Sequence, residues 1–360
     1  MEHVDICVAG AGIIGLSLAL ELEARGATVT VLEQGLPLTE ASTAAAGMLA
    51  AGDPENPAEL RPLADLSLRL YPEFLERLSS LSGAAVPFHT STALQALPTH
   101  VGDASPVSTE ELRSILPELV PGRRRFIRLD EHSLDPRQLA AALLGAVPRT
   151  TIDLRTRTHV VSARSVDGVV EVQTAGGRLR AGQFVDCTGS WAGSFTQMRL
   201  DASLRVYPRK GQMLSVALPP GLALRTVVRT PEVYLVPRTT GASAGRAIVG
   251  ATIEDAGYDK TVHPADIARL QRLAAELLPQ IASARVIESW AGLRPATADG
   301  LPLLGSVPGE PNCFLAAGHY RNGILLAPAT ARVMAQVLSG EPASIDLDSF
   351  SPSRVFRARA

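Results

Sequence analysis

A glycine-rich turn, Gly10-Ala11-Gly12-Ile13-Ile14-Gly15, sits between a strand-like run and a helical one, and that context narrows the fold more than any other feature of the chain. Residues 4–9 before it are apolar and partly β-branched. Residues 13–25 after it carry apolar side chains at helical spacing and stop at Gly26, and residues 27–32 form a second strand pattern. The order is β–α–β. Gly10 permits the tight turn, Gly12 lets backbone approach a pyrophosphate, and Gly15 lets helix and strand pack closely. The helix N-terminus adds N–H groups and the positive end of its dipole. Glu33, eighteen positions after Gly15, closes the second strand, where its carboxylate can accept from both ribose hydroxyls and repel a 2′-phosphate. The turn predicts a bound dinucleotide and does not by itself decide between NAD and FAD.

With 360 residues, 46% hydrophobic and 19% charged, the chain can bury two interlocked cores. Its apolar runs are broken well short of the roughly 20 residues that a membrane span needs. Residues 1–9 run straight into a strand pattern without a basic, cleavable leader, so a cytoplasmic protein is expected. A net charge of −2, with Arg123, Arg124 and Arg125 as the one basic cluster, gives nucleic-acid binding little support. Cys7, Cys187 and Cys313 lie in or beside apolar runs at spacings that suit neither a metal site nor a disulfide framework. Lysine occurs only at 210 and 260, which leaves Schiff-base chemistry few candidates.

Further along, a small-residue loop at 41–51 precedes a helical region at 57–82. Ser108-Thr109-Glu110-Glu111 reads as a capping box, and Asp135-Pro136 opens a helix over 137–145. Strand patterns follow at 158–163 and 169–174. Five short ones, at 204–208, 212–216, 226–229, 233–237 and 247–252, suggest an antiparallel sheet inserted into the dinucleotide fold. A helix over 264–278 comes next. A late strand at 313–317 leads through a second Gly-flanked turn into a helix from Gly323 to about Leu338. A flavin lying across the protein needs such a second anchor far from the first, whereas a nicotinamide does not; this favours FAD.

Four strings then carry a resemblance: Ala44-Ala45-Ala46-Gly47-Met48-Leu49, Trp290-Ala291-Gly292-Leu293-Arg294-Pro295, Asp299-Gly300-Leu301-Pro302, and the run from Gly318 to Pro328. Through them the chain resembles the D-amino-acid oxidase and sarcosine oxidase superfamily of flavoproteins, within it the glycine oxidases of thiamine biosynthesis, over nearly its whole length. The resemblance implies a mixed α/β (α+β) protein. Its Rossmann-like FAD domain spans 1–85, 150–200 and 300–360, and an interleaved antiparallel substrate domain spans 86–149 and 201–299. It implies non-covalent FAD held at Gly10, Gly12, Ile13, Ile14 and Gly15, at Glu33 and Gln34, and at Ala41, Ser42, Ala46, Gly47 and Met48. Thr158 would meet the adenine, and His319, Tyr320, Arg321, Asn322, Gly323, Ile324 and Leu325 would line the flavin ring. Substrate would meet Arg294, Arg321 and Tyr234. Ile253 stands where a methionine is expected and Tyr320 where a phenylalanine is, so substrates beyond glycine are in question. No cysteine lies at 296–298, which argues against the covalent sarcosine oxidase branch.

The residues keep alternatives open. Arg294 either docks a carboxylate through two parallel hydrogen bonds or is structural, capping a helix or pairing with Asp299. Arg321 either meets substrate or orders the flavin loop, and Tyr234 is either a donor or a core residue. His319 is expected to pack beside the flavin. No catalytic acid, base or metal is expected, because amine oxidation at a flavin rests mostly on positioning. The expected reaction is oxidation of glycine and other small amines or D-amino acids by O2, giving the 2-oxo acid, ammonia and hydrogen peroxide. A D-amino-acid dehydrogenase passing electrons to a carrier, a non-catalytic flavin-binding subunit and a nicotinamide dehydrogenase are the competing readings. The apolar bias leaves room for a homo-oligomer.

Overall fold

The computed structural model describes residues 3–97, 105–193 and 205–354. Strands β1 to β9 are His3–Ala9, Val29–Leu32, Phe88–Thr90, Ala93–Ala96, Phe126–Leu129, Ser133–Leu134, Asp153–Arg155, Val160–Val166 and Val169–Thr174. Strands β10 to β17 are Gly177–Asp186, Tyr207–Ala217, Val227–Arg229, Tyr234–Arg238, Arg246–Gly250, Val286–Ala296, Leu303–Ser306 and Cys313–Ala317. Helices α1 to α7 are Ile13–Ala24, Ala41–Ala44, Arg61–Ser82, Thr109–Ile115, Pro136–Ala146, Pro264–Leu277 and Gly323–Leu338.

The first sheet grows from the β–α–β unit. Its order is β16-β17-β10-β1-β2-β7; β17, β10, β1, β2 and β7 run parallel, and β9 and β8 extend from the far side of β10. Both faces are covered, which is why β1 is buried at every position from Ile6 to Ala9. Ile6 and Val8 pack with α1, α3 and α7, whereas Cys7 and Ala9 pack with β8, β9 and β10. Inside α7, Pro328 cannot donate to the carbonyl of Ile324; the buried Tyr71 hydroxyl donates to it instead, which makes the proline tolerable. The anticipated caps form: Ser108 Oγ accepts from Glu111 N–H at 3.1 Å, and Asp135 Oδ1 from Arg137 N–H at 2.9 Å.

The second sheet has the order β15-β11-β14-β13-β12-β4-β5 and is antiparallel apart from the β12–β4 pair. One face, with Leu214, Val228, Leu235 and Val249, packs on Leu270, Ala274 and Leu277 of α6. The opposite face, with Val227, Val236, Ile248, Tyr234 and Trp290, meets Ala46 and Met48 from the loop after α2. The space between the two sheets is where a ligand can lie.

One expectation changes and one strand is new. The separate strands at 204–208 and 212–216 are one 11-residue strand, β11, whose expected start at 204 lies outside the described residues, as does the 200/201 domain boundary. Its partner β15 was not anticipated as a strand, because glycine and proline interrupt its alternation; its long pairing with β11 makes it one. Helix α5 packs Leu139 and Leu143 into the core of the first sheet. Among the described residues no helix is long and apolar enough to cross a membrane, and no cluster of three His, Cys, Asp or Glu could hold a metal ion. All three cysteines are buried thiols.

Candidate active site

Two adjoining cavities, about 230 Å³ and about 100 Å³, share Gly12, Ala41, Ser42, Cys187 and Gly189 as walls and together form one elongated cleft. Every site residue expected from the sequence lines this cleft except Gly15 and Leu325. Gly15 serves packing: a Cβ there would stand 2.0 Å from the Gly10 carbonyl oxygen. Leu325 is buried in the core of the first sheet.

The smaller cavity lies at the glycine-rich turn before α1. Gly10 adopts φ +97°, and a Cβ on it would strike the Cys187 carbonyl at 2.6 Å, so only glycine fits the turn. A Cβ on Gly12 would meet nothing closer than Ser42 Oγ at 3.4 Å, so its missing side chain leaves open the space in front of α1. Ile13 N–H donates to Ser42 Oγ at 2.9 Å, which ties the helix start to the loop lining both cavities. Glu33 is held by its own neighbourhood: Ala11 N–H donates to Oε2 at 2.9 Å and Gly35 N–H to Oε1 at 2.8 Å. Each oxygen keeps a second lone pair for a ribose hydroxyl. Thr158 and Gln34 line the same cavity, with Thr158 fixed by its N–H to the Glu33 carbonyl at 2.8 Å. An acid that can accept from ribose and an open helix start suit the adenosine half of a dinucleotide.

The larger cavity reaches the second glycine-flanked turn. Gly47, φ +83°, lies where a Cβ would be 2.0 Å from the Leu134 carbonyl, and Arg238 Nη2 donates to the Ala46 carbonyl at 2.9 Å, so the Ala46–Met48 loop is pinned. His319 is buried and its Nε2 lies 3.0 Å from Thr330 Oγ1 on α7; burial pushes its pKa down to about 3. It is therefore a neutral packing imidazole. Tyr320 holds φ +49°, with its N–H on the Pro295 carbonyl at 2.7 Å. Arg321 Nη1 donates to Glu55 Oε2 at 2.6 Å and its Nη2 lies 3.2 Å from Asp53 Oδ2. The guanidinium thus borders the cavity with its charge already matched.

Arg294 differs. It projects from β15 across Gly211 of β11, and its Nη1 donates to the Thr252 carbonyl at 3.1 Å. Among the described residues it has no carboxylate within ion-pair distance. Asp299, the partner considered from the sequence, is bound instead by Arg354, at 2.8 Å from Nε and 3.0 Å from Nη2. Tyr234 lies opposite Gly250, whose missing side chain makes room for the ring; a Cβ there would be 2.5 Å from the hydroxyl. Burial raises the Tyr234 pKa, against a lowering by the neighbouring Arg294. The phenol stays a neutral donor at neutral pH.

Register places Gln95, Arg229, Tyr234, Gly250 and Met213 in one row across five strands, all lining the cavity. Gln95, Arg229 and Met213 were not found by sequence reasoning. The available signal was an arginine ending a short apolar strand pattern, and without the register nothing says which face it takes.

Comparison with known proteins agrees with this geometry. The family model described as FAD dependent oxidoreductase (DAO) matches residues 5–337. The glycine oxidase of Pseudomonas aeruginosa is 34% identical, with 97% of this chain and 98% of that protein covered. The bifunctional protein ThiO/ThiG of Trichormus variabilis is 35% identical over 97% of this chain, which spans 55% of that longer protein. The crystal structure of glycine oxidase from Geobacillus kaustophilus superposes with a TM-score of 0.90 at 31% identity, covering 99% of this chain and all of the other. Cleft, glycine-built turn and full-length similarity lead to one assignment: this chain belongs to the FAD-dependent oxidoreductases of the D-amino-acid oxidase type.

Proposed function

We propose that this protein is an amino-acid oxidase that converts glycine, and with it other small amines and D-amino acids, to the 2-oxo acid, ammonia and hydrogen peroxide, serving the thiazole branch of thiamine biosynthesis. The observation that carries the reading is Arg294, a guanidinium at the cavity wall beside the Tyr234 hydroxyl with no carboxylate of the described chain to neutralise it. A planar guanidinium takes a carboxylate through two parallel bonds, which fixes orientation as well as affinity. Glycine oxidases among the relatives supply the substrate.

Bound FAD supplies the two-electron acceptor for the Cα–H bond. The chain's part is to seat the substrate carboxylate on Arg294, donate from Tyr234, and hold the Ala46–Met48 loop and the His319–Ile324 turn as walls. His319 stays neutral and contributes no proton. The first turn of α7, starting at Gly323, directs its N–H groups and positive dipole end toward the cavity, where they favour negative charge on a reduced ring. The overall balance is glycine, water and O2 to glyoxylate, ammonia and hydrogen peroxide. We assign the protein to the cytoplasm and O2 as its acceptor.

The test is direct. Purified protein should carry flavin absorbance, bleach anaerobically with glycine, and on O2 form hydrogen peroxide in one-to-one ratio with glyoxylate. Arg294→Met should retain FAD while kcat/KM for glycine falls about a thousandfold or more, the cost of leaving a carboxylate without its charged partner. Flavin-loaded protein that glycine, sarcosine and small D-amino acids all fail to bleach would overturn the proposal, and bleaching without O2 consumption would redirect it to a carrier-linked dehydrogenase.

A further inference from the structure

Arg229 is 4% exposed, yet it lines the larger cavity. Its Nε donates to Gln95 Oε1 at 2.7 Å, and its Nη2 faces Glu131 Oε2 at 2.9 Å. Neither Nη1 nor Nη2 has a hydrogen-bond partner among the described residues, the approach of Nη2 to Glu131 being an ion pair without hydrogen-bond geometry. Leaving such donors buried and unmade is costly, so unsatisfied ones on a side chain that lines a cavity call for an acceptor. Arg229 is the direct cross-strand neighbour of Tyr234, whose side chain points to the same face and reaches Arg294. A substrate docked on Arg294 therefore lies beside it.

We propose that Arg229 forms a second polar subsite of the substrate cavity, one that takes a neutral oxygen acceptor, a hydroxyl or carbonyl, on a substituent of the amino acid. This rests on the oxidase reading above. Charge decides the class. Glu131, itself 6% exposed, already offsets the guanidinium, and Gly52 N–H ties Oε1 at 3.0 Å. What Arg229 offers is a directed N–H rather than net positive charge. A second carboxylate would meet Glu131 beside Arg229, and Asp53 and Glu55 also line the cavity. Glycine leaves the subsite unused; a substrate bearing a short hydroxylated arm fills it. Arg229 would thus set specificity in the pocket without taking part in chemistry.

The experiment compares isosteric pairs that differ by one hydroxyl for a methyl. D-serine against D-2-aminobutyrate samples an arm on Cα, and N-(2-hydroxyethyl)glycine against N-propylglycine samples an arm on nitrogen. The readout is the ratio of kcat/KM within each pair on the flavin-loaded enzyme, in which any shared loss from folding or flavin content cancels. The wild-type protein should favour the hydroxylated member of at least one pair by about tenfold, the worth of a hydrogen bond to a charged donor. Replacing the buried pair together, Arg229→Met with Glu131→Gln, removes the donor without stranding a charge, because the introduced amide oxygen still accepts from Gly52 N–H. In that variant the preference should fall to near unity, and Arg229→Lys should lie between. Glycine turnover by the wild-type protein tests the oxidase reading separately. If glycine is oxidised but both pairs give the same ratio, within twofold, in wild type and double variant, then Nη1 is met by water and the subsite does not exist.

Discussion

Gly211→Ala tests the Arg294 assignment without touching the arginine. A Cβ at position 211 would stand 2.3 Å from both Nη atoms of Arg294 and 2.5 Å from Cζ. Ordinary contact is about 3.5 Å, so the guanidinium has to move by about 1.2 Å. Because it is the far end of a flexible side chain, the fold can absorb the change. Gly211 lies inside β11, where alanine costs less backbone entropy than glycine, by roughly 0.5–1 kcal/mol; loss of the bond to the Thr252 carbonyl offsets about as much. Stability should therefore hardly change. Geometry at the site should not survive: a misplacement of about 1 Å in a positioning group costs on the order of a hundredfold, or about 2.7 kcal/mol. The expected result is a Tm within about 2 °C of the parent, full flavin content, and kcat/KM for glycine lower by about a hundredfold. Steady-state kinetics with thermal unfolding followed by flavin fluorescence checks all three. A variant that is stable, flavin-loaded and within threefold of parental kcat/KM would refute the placement of the carboxylate on Arg294.

Three further outcomes are expected. Tyr234→Phe should keep its flavin and lose about tenfold in kcat/KM for glycine, as one neutral hydrogen bond is worth; unchanged kinetics would make Tyr234 a core residue only. Gly47→Ala puts a Cβ against the Leu134 carbonyl and Pro136 at φ +83°, so it should destabilise by roughly 2 kcal/mol or more and loosen FAD, read by thermal shift and flavin titration. His319, with its pKa depressed to about 3, contributes stability that is present above the ordinary imidazole value near 6.5 and is lost as pH falls from there toward 3. In His319→Gln, denaturant unfolding should weaken less steeply with acid over that window, and equal slopes would contradict a buried neutral imidazole.

Much of the architecture was legible because its signals are local. The β–α–β unit, the capped starts of α4 and α5, β9, β17 and α7 follow from periodicity, caps and glycine positions within a few residues of each other. Of the cleft, the Gly10–Gly15 turn, Glu33 and the Gly318–Gly323 turn carried such a local signal; the loop around Gly47, whose missing Cβ lies 2.0 Å from the Leu134 carbonyl, was expected from the resemblance alone. Strand β15 was not legible, since Gly292 and Pro295 break its alternation and only the ladder to β11 makes it a strand.

The linear chain thus specified the dinucleotide turn, the second anchor at Gly318–Gly323 and the presence of arginines suited to a carboxylate. Which arginine stays available was settled in three dimensions. Arg321 meets Asp53 and Glu55, Asp299 is taken by Arg354, and Arg294 is left without an acid partner among the described residues. The same holds for Arg229, turned toward the cavity by a register that pairs it with Tyr234. Charge pairing and cross-strand register depend on residues tens to hundreds of positions apart, and only packing of the two sheets brings those together.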